Sequence, residues 1–198
     1  MISDIDLLIQ RFSAGSVSLG DIEVLAHFAK DLNLVVELGT NIGTTSILLS
    51  AMARRVCTVD VFEKIELIED EKQRGTYAKS FMHNQHYYSA ISKKLKPFKI
   101  EVAQCLSHIY SGAFFPDSVD MVFIDADHSY EGVKRDYEAW FDKIKKGGYF
   151  AFHDCVKSFP VYQYKNDVLD LDERIKIVSN TLKIHSPSLT STIVYEKI

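Results

Sequence analysis

The central part of the chain alternates short apolar runs with longer amphipathic segments. Apolar, β-branched runs of about four to eight residues predict buried strands, whereas apolar residues spaced three and four apart predict helices. The predicted strands cover residues 34–38, 55–62, 98–103, 119–125 and 148–154, and the predicted helices cover 44–54, 104–112 and 129–146. Strands that alternate with helices form a parallel sheet covered on both faces, so we expect a doubly wound α/β fold.

Both ends of the chain depart from this alternation. Near the N-terminus, Ser18 and Asp21 have the spacing of a capping box and precede apolar residues at helical period, which predicts a helix of roughly ten residues. At the C-terminus, residues 174–181 and 190–198 are two predicted strands with no helix between them. The expected architecture is therefore a mostly parallel, seven-stranded sheet with an antiparallel C-terminal strand pair.

The 198 residues are enough for one domain with a substantial core. We therefore expect a single domain over 1–198, with N-terminal helices within residues 1–32. Residues 63–96 are charged and aromatic, and they are too long for a plain connection between two strands. This segment contains His83 and His86, and we interpret it as one or two helices that could form a lid.

Composition and charge narrow the class of partner. The chain has 23 Lys and Arg against 27 Asp and Glu, so it lacks the basic excess that a nucleic-acid backbone attracts. No apolar run approaches the roughly 20 residues that span a bilayer. Cys57, Cys105 and Cys155 have no CxxC spacing, which argues against a disulfide scaffold and favours a cytoplasmic location. We expect a small-molecule substrate, no nucleic-acid or membrane partner, and leave open whether the chain forms a homodimer.

The turn after the first predicted strand has the composition of a ligand-binding turn. Gly39 permits a sharp exit from the strand, and Gly43 permits close approach to the backbone at the start of the next helix. The glycine spacing is not G-x-G-x-x-G, which disfavours a dinucleotide. Glu37 would repel phosphate and suits a ligand with an amino group. Asp60 follows Gly39 by 21 residues (60 − 39), near the roughly 20-residue offset typical of an acid that binds ribose hydroxyls.

Two further strand ends concentrate ionisable side chains. Asp125, Asp127 and His128 follow one predicted strand, and His153 and Asp154 end the next. Such a cluster of negative charge is costly unless it is compensated. A divalent cation held by carboxylates and a histidine would compensate it. For Asp127, capping of the following helix is an equally simple interpretation.

Together these residues resemble those of class I S-adenosylmethionine-dependent methyltransferases, from about residue 34 to the C-terminal strands. The resemblance is to a small bacterial type with D-x-D-H-S-Y-E and H-D strand ends, similar to catechol-type O-methyltransferases and cephalosporin-hydroxylase-like proteins. Here the two stretches read FIDADHSYEG at 123–132 and GGYFAFHD at 147–154. The resemblance implies a Rossmann-like methyltransferase fold.

The resemblance also implies roles for individual residues. Glu37 would bind the methionine end of the cofactor, and Asp60 would accept hydrogen bonds from the ribose hydroxyls. Gln104 and Cys105 stand near the adenine position, where the family often has an acid that this chain lacks. The implied cofactor-binding set is Glu37, Gly39, Thr40, Gly43, Asp60, Gln104, Cys105 and Asp125.

The same resemblance places catalytic chemistry at the two later strand ends. Asp125, His153 and Asp154 match the metal-ligand positions of catechol-type enzymes, with Mg²⁺ or Mn²⁺ as the implied metal. His153 replaces an Asp or Glu there, which makes catalysis without a metal an open alternative. His128 stands at the offset of the family's lysine general base, so His128 and Asp125 are the implied catalytic residues.

The expected function is methylation of a hydroxyl on a small molecule or sugar by S-adenosylmethionine. Two other functions stay open. A nucleotide-dependent oxidoreductase would share the fold and Asp60, but it would need another glycine pattern. A non-catalytic nucleoside- or cofactor-binding protein would have no use for the strand-end cluster, so His128, His153 and Asp154 would be dispersed.

Overall fold

The computed structural model describes residues 17–68, 71, 74–75, 86–181 and 190–198. Seven strands are β1 (Val35–Leu38), β2 (Val56–Asp60), β3 (Glu101–Gln104), β4 (Val119–Ile124), β5 (Ile144–Phe152), β6 (Ile175–Ile177) and β7 (Ile193–Lys197). The α-helices of the described residues are α1 (Leu19–Ala29), α2 (Thr44–Met52), α3 (Tyr87–Leu95), α4 (Ser107–Tyr110), α5 (Tyr130–Phe141) and α6 (Pro160–Asp167). Among these residues, no helix is long and apolar enough to cross a membrane.

The seven strands form one sheet in the order β3-β2-β1-β4-β5-β7-β6. Neighbouring strands from β3 to β5 are parallel, whereas β7 runs antiparallel to both β5 and β6. The predicted doubly wound sheet with antiparallel C-terminal strands is thus confirmed. Strand order reverses between β1 and β4, and ligands of open α/β sheets bind outside the carboxyl ends of the strands at such a point.

Alternate side chains of the central strands pack into two separate cores, because successive residues of a strand point to opposite faces. One core joins the sheet to α5 and α6 and includes Val36, Val122, Phe150, Val133, Tyr137, Trp140 and Tyr164. The other joins the sheet to α1, α2 and α3 and includes Val35, Met121, Phe123, Leu25, Leu48, Ile91 and Leu95. Burial on both faces explains why the strands read as continuous apolar runs.

The capping box at the start of α1 is present as predicted. The Ser18 hydroxyl accepts from the Asp21 amide at 3.2 Å, and the Asp21 carboxylate accepts from the Ser18 amide at 2.9 Å. The same carboxylate accepts from the amides of Ser191 and Thr192, at 2.7 and 2.8 Å. Asp21 therefore ties α1 to the segment that enters β7.

The predicted boundary between α5 and β5 was wrong. The helix ends at Phe141, and β5 already begins at Ile144, so the glycine pair at 147 and 148 lies inside the strand. Gly147 has φ +79°, and a Cβ on Gly148 would lie 2.8 Å from the Asp120 carbonyl oxygen. The β4–β5 register shifts in this region, so the glycines accommodate an irregular strand rather than end a helix.

The structure also refines two predictions between β2 and β3. Strand β3 begins at Glu101 rather than at 98, because residues 96–98 form a 3₁₀ turn. In the segment 63–96, the predicted helix is present as α3, with Ile91 and Leu95 buried. Residues 69–70, 72–73 and 76–85, including His83, lie outside the described residues. The lid therefore stays a prediction.

Candidate functional site

The turn after β1 is shaped by close backbone packing against the end of β4. Gly39 has φ +98°, and a Cβ at this position would lie 2.2 Å from the Asp125 carbonyl oxygen. The Gly39 amide donates to the Val59 carbonyl at 2.8 Å, which ties the turn to β2. Gly43 is the N-cap of α2 with φ +77°, and a Cβ there would lie 2.8 Å from the Leu95 side chain. Side chains at either glycine would therefore push the turn out of place.

Glu37 lies within the protein directly before this turn. Its side chain accepts hydrogen bonds from the hydroxyls of Ser46 and of Thr58, the latter at 2.7 Å. Burial, with added repulsion from Asp125 and Asp60, raises the pKa of Glu37 to about 8. The carboxyl group is therefore mostly neutral at pH 7, and it connects α2 to β2.

Asp60 closes β2 and holds the same turn from the other side. Its carboxylate accepts from the amides of Asn41 and Phe62, both at 3.0 Å. Burial raises the pKa of Asp60 above its usual value, against these backbone hydrogen bonds. Glu37 and Asp60 stand on paired strands and repel one another, so they belong to one region of the molecule. The backbone amides of Val61 and Thr40 also favour the ionised form of Asp60, so the carboxylate is held firmly in the turn.

A cavity opens beside these residues, at the carboxyl ends of β1, β2 and β4. The space between its walls, counted together with the open mouth, is about 630 Å³. The lining residues are Gly39, Val59, Asp60, Val61, Ile68, Cys105, Leu106, Ser107, His108, Ala126, Asp127, Gly132, Arg135 and Asp136. The cavity thus combines apolar walls with a few charged groups.

Only part of the predicted cofactor set lines this cavity. Gly39, Asp60 and Cys105 do so, whereas the remaining members are not among the lining residues: Glu37, Thr40, Gly43, Gln104 and Asp125. Thr40, for example, is buried with its hydroxyl 2.7 Å from that of Thr58.

Sequence reasoning missed the polar groups that α4 and α5 add to the cavity. Asp136 is only 1% exposed, and its carboxylate accepts from the Ser107 hydroxyl at 2.5 Å. Burial, together with repulsion from Asp127, raises the pKa of Asp136 to about 7. The available signal was its place on the apolar stripe of α5, beside Val133 and Tyr137.

The strand-end cluster is a connected set of carboxylates and imidazoles. Asp125 lies 2.8 Å from Nδ1 of His153 and 3.1 Å from Nε2 of His128. The other ring nitrogen of His128 lies 3.2 Å from Asp154, and Nε2 of His153 lies 3.5 Å from Asp21. The residues at the ends of β4 and β5 are thus gathered, as the sequence predicts.

Protonated histidines balance the negative charge of this cluster. Burial alone would lower the pKa of His153, but interactions with Asp125 and Asp21 raise it to about 10. The pKa of His128 is also raised, because hydrogen bonding and attraction to Asp125 outweigh burial. Burial would raise the pKa of Asp125, yet hydrogen bonds from both histidines lower it. The resulting charges suit ion pairs at neutral pH.

The arrangement gives no support to the predicted metal set of Asp125, His153 and Asp154, which therefore stays a prediction. Nδ1 of His153 lies 2.8 Å from Asp125, whereas Nε2 has no hydrogen bond among the described residues and lies 3.5 Å from the Asp21 carboxylate. In the described parts of the chain, no group of three His, Cys, Asp or Glu is arranged to hold a metal ion. His153 and His128 supply the positive charge that the sequence had suggested a metal would supply.

Backbone conformations that are uncommon for residues with a Cβ occur at both edges of the sheet. Asn41, Phe62 and Asp154, with φ of +47°, +50° and +52°, follow the ends of β1, β2 and β5. Asp31, Lys99 and Asp117 have similar values and precede strands at the opposite edge.

The fold is that of class I methyltransferases. Residues 36–155 match the model of a family described as a methyltransferase domain, and the chain belongs to this family. The predicted family is therefore confirmed.

Solved structures share the fold at low sequence identity. A methyltransferase from Geobacter sulfurreducens is 11% identical with a TM-score of 0.62, and covers 100% of this chain and 87% of its own. An S-adenosylmethionine-dependent O-methyltransferase from Thermotoga maritima is 14% identical with a TM-score of 0.61, and covers 98% of this chain and 71% of its own. A Streptococcus mutans protein in complex with S-adenosylhomocysteine (SAH) is 11% identical with a TM-score of 0.54. The match covers 89% of this chain and 95% of that protein.

An uncharacterized protein of Acanthamoeba polyphaga mimivirus is 41% identical over 39 residues. The match spans 20% of this chain and only 18% of the length of that relative.

Proposed function

We propose that the chain uses S-adenosylmethionine to methylate a hydroxyl group on a small molecule or sugar. The observation that carries the proposal is the cavity at the ends of β1, β2 and β4, with Asp60 in its wall and Gly39 at its edge. Membership of the methyltransferase domain family supports the reaction class. In the Streptococcus mutans structure, a protein of the same fold binds the demethylated product.

In this proposal, the adenosine half of the cofactor would lie in the cavity. Asp60 lines the cavity, and its carboxylate suits the two ribose hydroxyls, which are hydrogen-bond donors. Val61, Ile68 and Leu106 provide apolar surface for the faces of a base. The methionine end would then lie toward the turn at 39–43, where the first amides of α2 are available to a carboxylate.

His128 is the residue we propose to take the proton of the acceptor hydroxyl. When bound, S-adenosylmethionine supplies a methyl group on a positively charged sulfur. The side chain of His128 is 38% exposed, so a substrate could reach it. Asp125 and Asp154 flank its ring at 3.1 and 3.2 Å and would stabilise the imidazolium that forms. Holding the reacting atoms in line can contribute roughly 7–11 kcal/mol, and no metal is needed for that.

The raised pKa of His128 sets the expected pH dependence of this step. A general base must be unprotonated, and attraction to Asp125 keeps His128 protonated above its usual value of 6.5. The rate of methyl transfer should therefore rise with pH on the alkaline side of 6.5.

Ligand-induced thermal stabilisation tests the cofactor. A ligand at about 100 times its Kd should raise the melting temperature by roughly 5–11 °C for a chain of this size. We expect this shift with S-adenosylmethionine and SAH, no shift with NAD, and no further shift from Mg²⁺ or Mn²⁺. A rise in melting temperature with NAD alone would contradict the proposal and favour a nucleotide-dependent oxidoreductase.

His128→Ala tests the catalytic assignment. Loss of a general base should lower transfer of labelled methyl groups to a panel of sugars and phenols by about 10²–10⁴-fold. The affinity for SAH should stay unchanged. His27→Ala, at an exposed histidine of α1, is the matched control. Normal turnover with weakened SAH binding would contradict the assignment.

The contacts of His128 also weigh against a non-catalytic binding protein. A protein that only held a nucleoside would not need an accessible imidazole between two carboxylates.

A further inference from the structure

Two buried polar atoms belong to side chains that line the cavity and have no hydrogen-bond partner among the described residues. They are Oδ2 of Asp136 and Nε of Arg135. Buried polar atoms in folded proteins are nearly always hydrogen-bonded, because leaving one unpaired is costly. An unpaired acceptor and an unpaired donor in the same cavity wall therefore point to a ligand that supplies both partners.

Neighbouring residues hold both side chains by their other polar atoms. Ser107 donates to Oδ1 of Asp136 at 2.5 Å, which leaves Oδ2 for a ligand. The Nη2 atom of Arg135 donates to Asp127 at 3.2 Å, which leaves Nε. Because Asp136 is buried and Ser107 lies on another helix, the acceptor is preorganised rather than formed on binding.

An acceptor and a donor in one cavity wall match the two kinds of group on one edge of adenine. Adenine places its exocyclic amine, a donor, next to a ring nitrogen that accepts. Hypoxanthine has a carbonyl oxygen in place of the amine, and this oxygen would face the lone pairs of Asp136. The apolar side chains of Ile68 and Leu106 in the same cavity suit the faces of a planar ring.

We infer that Asp136 accepts a hydrogen bond from the exocyclic amine of adenine and thereby selects an adenosyl ligand over its deaminated counterpart. Arg135 donates to the adjacent ring nitrogen. The acid that recognises the base thus comes from α5. At the end of β3, where the family often has an acid, this chain has Gln104 and Cys105. This inference rests on the proposed function.

Isothermal titration of the full chain with SAH and with its hypoxanthine analogue, S-inosylhomocysteine, tests the inference at about pH 8.5, where Asp136, with a pKa of about 7, is ionised and can only accept. The wild type should bind SAH at least about tenfold more tightly. In Asp136→Asn, Ser107 can still donate to the amide oxygen, which leaves the amide NH₂ facing the base. The variant should therefore lose about tenfold in SAH affinity and gain affinity for the inosyl analogue.

Glu138→Gln is the matched control, since it removes a carboxylate from an exposed position of the same helix. It should leave both affinities unchanged. Equal wild-type affinity for the two ligands, or unchanged SAH binding in Asp136→Asn, overturns the inference and leaves the proposed function standing. Absence of SAH binding to the wild type instead overturns the proposed function. If Asp136→Asn does not fold, the wild-type comparison decides alone.

Discussion

The carboxylate of Asp21 accepts hydrogen bonds from donors in two distant parts of the chain. One oxygen accepts from the Thr190 hydroxyl at 2.8 Å and from the amides of Ser191 and Thr192 at 2.7 and 2.8 Å. The other accepts from the amide and the hydroxyl of Ser18, at 2.9 and 2.6 Å. Asp21 is also buried, so these donors have no easy access to water as a substitute.

Asp21→Asn is the sharpest perturbation of this connection, because it preserves shape and removes one acceptor atom. Whichever way the amide turns, its NH₂ group faces one set of donors, so at least the two bonds from Ser18 are lost. A hydrogen bond to a charged group contributes about 1.5–3 kcal/mol, so the free energy of unfolding should fall by about 3–6 kcal/mol. For a chain of this size, the melting temperature should fall by roughly 6–24 °C.

Urea unfolding at two pH values measures both the magnitude and its cause. Burial would raise the pKa of Asp21, but interactions with His153 and Ser18 hold it well below the usual 3.8. The stabilisation is therefore complete above pH 3.8 and is lost as the pH falls toward the folded-state pKa. The difference between wild type and variant should be full at pH 7 and should shrink below pH 3.8.

Asp167→Asn, at an exposed position of α6, is the control and should change the free energy of unfolding by less than about 0.5 kcal/mol. A loss below about 1 kcal/mol for Asp21→Asn at pH 7 would refute the reasoning. So would a difference that does not depend on pH.

Three further predictions follow from the site. Gly39→Ala should lower the free energy of unfolding by more than about 2 kcal/mol, because the new Cβ would lie 2.2 Å from the Asp125 carbonyl oxygen. Calorimetry should detect no SAH binding to this variant, and a stable variant that binds SAH would contradict this packing. Asp60→Ala should raise the Kd for SAH roughly tenfold to hundredfold, since it removes the proposed ribose acceptor and leaves the Asn41 amide unpaired; an unchanged Kd would place the ligand elsewhere. The pKa of His153, raised to about 10, predicts stability that is complete below pH 6.5 and declines between pH 6.5 and 10, with a flatter profile for His153→Gln in urea titrations.

Much of the sheet could be predicted from local sequence. The apolar runs at 34–38 and 119–125 became β1 and β4 within a residue or two, because strands buried on both faces must be apolar throughout. The capping box at Ser18 also predicted the start of α1, because both partners lie within one helical turn. By contrast, Gly147 and Gly148 suggest a helix end by composition, and only the irregular β4–β5 pairing explains why they lie in a strand.

The site divides in a similar way. Gly39 and Asp60 could be found from sequence because a fixed spacing along the chain connects them to the first strand. Asp136 and Ser107 are 29 residues apart and carry no shared motif, so only the packing of α4 against α5 brings them together. The strand-end cluster could be located, but the sequence could not show that the ring nitrogens of His153 lie 2.8 and 3.5 Å from carboxylate oxygens.

The sequence by itself determined the order of strands and helices, the family, and the edge of the sheet where the candidate site lies, because periodicity and short spacings act locally along the chain. Tertiary structure alone decided which carboxylates are neutral, which histidines are charged and which polar atoms are left for a ligand. These properties depend on burial and on partners such as Asp21 and His153, which are distant in sequence and meet only when the chain has folded.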